Sequence, residues 1–178
     1  MGSGKLELKN TNAMIVGGIF GLKVAEVSFM PKWRLHNKIA SEVGIPEDLA
    51  TKVNCIIDIE GIHDGREIPK VLLNDARKSY EIGGYDGLRA FFLHHILDRF
   101  AQKLLGEAYR EVWDKTPRSE KYILKTTLND ANDWINSLKG FEHIGKAKEA
   151  LGEVTAYIER EYKKVMASIV SEFGDEKI

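Results

Sequence analysis

The spacing of apolar positions changes once along this chain. Before residue 30 it alternates, as in Lys5-Leu6-Glu7-Leu8-Lys9 and Leu22-Lys23-Val24-Ala25-Glu26-Val27-Ser28-Phe29, with Met14-Ile15-Val16 between. A period of two is that of a half-buried strand. Turn chemistry comes from Asn10-Thr11-Asn12 and from glycines 17, 18 and 21. The pattern predicts a short antiparallel β element over 5–29, with an antiparallel pair between 13 and 29.

From Trp33 onward the spacing is three and four, the signature of helices that bury one face. A helix from Trp33 to Val43 stops at Gly44. Pro46 followed by Glu47 and Asp48 opens a second, running to about Ile62. Pro69 opens a third through Tyr80, Gly83-Gly84 breaks the chain, and a long helix follows from Asp86 to Trp113. Ser119 is an N-cap candidate for a helix striped by Leu124, Leu128, Ala131, Ile135 and Leu138, with Gly140 as its stop. A last helix carries Ala147, Leu151, Val154, Ile158, Val165 and Ile169 and ends near Gly174. The expected fold is mainly α: one domain over 1–178, with about six helices in a body over 33–174 and the β element before it.

Composition adds bounds. The chain has 178 residues, 43% hydrophobic and 30% charged, which is enough to bury a core without a disulfide or metal staple. Its 26 basic and 27 acidic residues leave a net charge of −1, which argues against a whole-chain nucleic-acid footprint. The single cysteine, Cys55, lies among Ile56 and Ile59 and is expected to be inert core. One cysteine suits a reducing compartment, and no signal peptide or membrane span is evident, so a cytoplasmic location is expected.

Candidate chemistry concentrates in the first hundred residues, where His36, His63, His94 and His95 fall together with Asp64 and Asp98. His94 and Asp98 stand four apart on the long helix, one above the other. On a helical wheel Ala90, Leu97, Ala101 and Ala108 flank this pair on one side, and Phe91, Leu105 and Tyr109 on the other. An imidazole and a carboxylate in an apolar sector need a partner: each other, further hydrogen bonds or a metal. His95 shares its side with Arg99, Gln102 and Lys103, which reads as a solvated face.

The order His36, then His63-Asp64 at a helix end, then an aspartate on a later helix resembles the H…HD…D pattern of HD-domain metal-dependent phosphohydrolases. The resemblance covers about residues 33–100. It implies an all-helical metal-dependent hydrolase acting on a phosphoester or nucleotide. His36, His63, Asp64 and one of Asp98, Asp130 or Asp133 would be ligands, and His94 an extra ligand or phosphate contact. Imidazole and carboxylate together suit Mn, Fe, Ni, Zn or Mg. Arg66 and the Gly83-Gly84 backbone ahead of a helix are candidate substrate contacts. The alternative is a non-catalytic helical binding or assembly protein, a homo-oligomer or one anchored through Trp113 or Trp134. Nucleic-acid binding through the Arg110–Arg118 region and the N-terminal β element is the remaining option.

Overall fold

The computed structural model describes residues 32–60, 68–112 and 118–174. The expected β element over 5–29 lies outside them, as do His63, Asp64, Arg66 and Trp113. Five helices make up what is described: α1 (Trp33–Glu42), α2 (Glu47–Cys55), α3 (Pro69–Val112), α4 (Glu120–Ser137) and α5 (Ile144–Gly174). A single π-helical turn, Ile56–Glu60, prolongs α2.

The boundaries follow from local chemistry. Two acids, Glu47 and Asp48, occupy the first turn of α2, where the dipole favours negative charge. Ser119 caps α4, its hydroxyl accepting from the Tyr122 backbone N–H at 3.3 Å. The expected break at Gly83-Gly84 is observed, as a kink between two helical arms that are numbered together as α3. Gly84 alone leaves helical geometry, at φ 56° and ψ −129°, a backbone that glycine adopts without a Cβ clash. Gly87 lets the two arms of α3 touch, because a Cβ there would lie 1.9 Å from the Ser79 carbonyl oxygen.

The lower arm of α3, the part that follows the kink at Gly84, is the axis of the molecule. Phe91, Phe92, Ile96, Leu97, Phe100 and Ala101 are each fully buried, so this helix is apolar nearly all round, as a helix surrounded by others must be. Helices α4 and α5 pack along it, and α1 and α2 cover its remaining side. Among the described residues, no helix is long and apolar enough to cross a membrane.

Three expectations are corrected. His95 is 2% exposed, because α4 covers the side of α3 that the wheel assigned to solvent. Its ring packs on Phe91 and Trp134 at centroid distances of 4.7 and 5.8 Å. Trp134 is therefore a core residue and offers no anchor for a partner. Ile59 is exposed, so Cys55 is only half-buried at the edge of the core.

Candidate metal centre

Inside this core lies a knot of imidazoles and carboxylates between α1, the π-turn and α3. His94 and Asp98 meet as their spacing requires, with Nε2 3.2 Å from Oδ2. Helix α1 adds His36, whose Nε2 stands 3.1 Å from the other Asp98 oxygen. The π-turn adds Asp58, with Oδ1 3.3 Å from His94 Nε2. The two imidazoles stack at 4.4 Å. His36, His94 and Asp98 are each at most 3% exposed, while Asp58 sits at the rim.

Each histidine has its other nitrogen committed outward. Thr51 donates its hydroxyl to the Glu47 carbonyl at 2.9 Å. It accepts from the Asn37 amide nitrogen at 2.8 Å, and Asn37 in turn accepts from the Asn54 amide nitrogen at 3.0 Å. Asn54 is thereby turned with its carbonyl oxygen toward His94 Nδ1, 2.9 Å away. An oxygen can only accept, so His94 carries a proton on Nδ1 and aims Nε2 inward. His36 Nδ1 faces the Lys32 carbonyl oxygen at 3.2 Å and is fixed in the same sense. Asp58 is oriented too: its Oδ2 accepts from the Trp33 indole N–H at 2.6 Å.

Two inward nitrogens thus confront two carboxylates, and lone pairs facing one another repel. A positive charge must lie between them. Without a metal that charge is a proton. Burial pulls the His94 pKa down, but the Asp98 and Asp58 carboxylates overcome it and raise the value from 6.5 to about 9. Burial alone would raise Asp98, and its two histidines hold it well below the usual carboxylate range. Asp58 is lowered in the same way: His94 and the Trp33 indole outweigh burial.

The spacing also leaves room for a cation larger than a proton. Charge-assisted N–H···O bonds run about 2.7–2.9 Å, shorter than the separations around Nε2. Among the described residues, His94 Nε2 has no partner of acceptable hydrogen-bond geometry, although it is buried. Donors around one ion at about 2.1 Å stand roughly 3.0–3.4 Å apart in octahedral or tetrahedral arrangements. His36, His94 and Asp98 can hold a metal ion, since one ligand atom from each lies within 4.8 Å of the others. Outward Nδ1–H groups held by oxygen acceptors are the supporting shell that metal-bound histidines require.

Of the expected ligands, the fold brings together His36, His94 and Asp98. Asp130 is elsewhere: Arg99 and Lys103 hold it at 2.5 and 2.8 Å. Asp133 is exposed on α4. Gly83 packs against Leu49 of α2, where a Cβ would meet the leucine at 2.5 Å, so Gly83-Gly84 serves the kink and its packing. Asp58 and Asn54 were not singled out from sequence. Their i, i+4 spacing on a turn facing α3 was the available signal, and both grip the same imidazole. His143 lies apart, exposed and tilted over the Tyr80 ring at 4.0 Å. The chain matches no family model, no curated protein and no solved structure.

Proposed function

We propose that the knot is a divalent-metal centre, with His36 Nε2, His94 Nε2 and Asp98 as ligands and Asp58 as the rim carboxylate, and that it serves hydrolysis of a phosphoester. The observation that carries this reading is the inward orientation of two tautomer-fixed imidazoles onto carboxylates, around an Nε2 with no acceptable hydrogen bond. A mixed imidazole–carboxylate set suits Mn, Fe, Ni or Zn better than an all-oxygen cage would. When bound, such an ion lowers the pKa of a coordinated water and polarises a phosphoryl oxygen.

The chain's own residues have separable tasks in this reading. Asp98 bridges both histidines and would neutralise part of the charge of a bound ion. Asn54 and the Lys32 carbonyl hold the ring orientations. Asp58 is the only member with substantial exposure, its side chain 22% accessible, so in this reading its carboxylate would be the group to take a proton from an attacking water. The phosphoester assignment is supported by the resemblance to HD-domain hydrolases and extends to His63 and Asp64, which follow the π-turn in sequence after Gly61-Ile62.

A competing use is structural. A closed knot tying α1, the π-turn and α3 would fix their packing with a proton at its centre, as suits a helical binding or assembly protein. Metal content and activity separate the two. Protein purified without chelator is expected to carry close to one equivalent of Mn, Fe, Ni or Zn, and to hydrolyse bis-p-nitrophenyl phosphate in a chelator-sensitive way. Asp98→Asn should lose both. A wild-type protein that gains no thermal stability from any of these metals would establish the structural use instead.

A further inference from the structure

The two imidazoles of the centre are turned by different means. His94 is set by side chains, through the relay of Thr51, Asn37 and Asn54. His36 depends on one backbone carbonyl, that of Lys32, which faces its Nδ1 at 3.2 Å. The same oxygen accepts the Leu35 and His36 backbone N–H groups at 2.9 and 3.4 Å, closing the first turn of α1. Lys32 itself stands in extended geometry, at φ −68° and ψ 153°. This helix end has no side-chain cap of its own, and its first turn holds no acid. No side chain of α1 therefore fixes how Lys32 presents its carbonyl.

The hold comes from the far end of the chain. In the last turn of α5, one carboxyl oxygen of Glu172 accepts from the Lys32 backbone N–H. The other, Oε2, is buried and has no hydrogen-bond partner among the described residues. A buried oxygen without a donor costs stability, and a group kept at that cost calls for a use. Burial raises the Glu172 pKa, and the Lys32 N–H with the nearby charges of His36, Lys32 and Arg34 offsets this only in part. Protonated or ionised, the carboxyl keeps an oxygen that accepts from Lys32.

We infer that Glu172 is a positioning residue of the metal centre: it anchors the Lys32 backbone, whose carbonyl holds the His36 Nδ1–H and so turns Nε2 toward Asp98. The last helix thereby supports a centre whose candidate ligands all come from the first hundred residues. Glu172 has this role only where His36 is a ligand, so it rests on the metal reading. What matters at this position is an acceptor of the right reach, not a charge. Glutamine keeps the acceptor and loses the charge, whereas aspartate keeps the charge and is one methylene too short. A carboxylate acting only on the α1 dipole would give the opposite order, because charge is what the dipole responds to.

Calorimetric titration of the full chain with zinc at pH 7.5 tests it, with solvent exchange of the His36 Nδ1–H followed by NMR at saturating zinc. Glu172→Ala and Glu172→Asp are each expected to weaken zinc by about tenfold or more, the loss typical of a group that orients a ligand. In both, the Nδ1–H should exchange faster with solvent. Glu172→Gln should restore the affinity and the slow exchange of the wild type. Glu159→Ala, which removes a carboxylate from the exposed face of α5, should match the wild type. Should Glu172→Ala fail to fold, the glutamine and aspartate variants still decide the matter by their order. Zinc affinity in Glu172→Asp equal to the wild type overturns the role, as does Glu172→Gln binding as weakly as Glu172→Asp. Weakened binding with unaltered Nδ1–H exchange overturns it too. A wild type that binds no zinc removes the metal reading and this role with it. A zinc-binding wild type matched by every Glu172 variant removes this role alone.

Discussion

His94 and His95 are neighbours on one helix and equally buried, yet they inhabit opposite kinds of interior. His95 faces α4 in a seam of Phe91 and Trp134. His94 faces α1 and the π-turn, between two carboxylates and an asparagine. The contrast shows that burial alone gives an imidazole no chemistry. What distinguishes His94 is acid on one ring nitrogen and a fixed acceptor on the other, which together demand a cation at a defined point.

The sharpest way to break the comparison is to remove the acid. Asp98→Ala leaves two buried imidazoles without their bridging carboxylate. Losing one partner of a buried ionic group costs about 3–5 kcal/mol, so chemical denaturation should show a loss of that order for the protein without metal.

A pH series tests the same contrast without mutation. The folded His94 pKa of about 9 lies above its ordinary 6.5, so the imidazolium contributes its full stability below pH 6.5. That contribution fades as pH rises through 9. The shift corresponds to about 3 kcal/mol at most. Asp98 is shifted the other way, so its contribution is present above the ordinary carboxylate pKa and is lost only on strong acidification. Metal-free protein should therefore lose stability between pH 6.5 and 9, and saturating zinc should abolish that loss. His94→Gln should flatten the alkaline limb as well.

Smaller effects separate ligands from their supports. Asn54→Ala removes the acceptor that fixes the His94 tautomer, and it should weaken metal binding by about 10–100-fold while leaving the ligand set intact. On the other side of the helix, His95→Phe keeps an aromatic ring in the Phe91–Trp134 seam. It should leave metal affinity unchanged. A metal effect at His95 as large as that at Asn54 would erase the distinction between the two sides.

Periodicity along the chain was enough to place the helices, because each must bury a stripe and end where a glycine or a cap allows. It also paired His94 with Asp98, a contact internal to one helix. What it could not supply was which helix covers which face of α3. With the lower arm of α3 buried nearly all round, the polar side assigned to solvent is roofed by α4, and His95 is enclosed. The third and fourth members of the centre are long-range neighbours: His36 reaches Asp98 across 62 residues. Asp58 arrives on a π-turn, whose wider winding is not written in any apolar spacing. Asn54 looked like an ordinary polar helix residue, because its role exists only once Asn37 and Thr51 turn its amide.

The central claim is that a divalent cation takes the place of a proton between His94 and its two carboxylates. Calorimetry of zinc binding at pH 7.5, in buffers of different ionisation enthalpy, counts the protons that leave as metal enters. One zinc per chain with release of about one proton is the predicted result, with both the binding and the release lost in Asp98→Asn. Absence of saturable binding, or binding that releases no proton, would contradict it and leave the knot a protonated packing device.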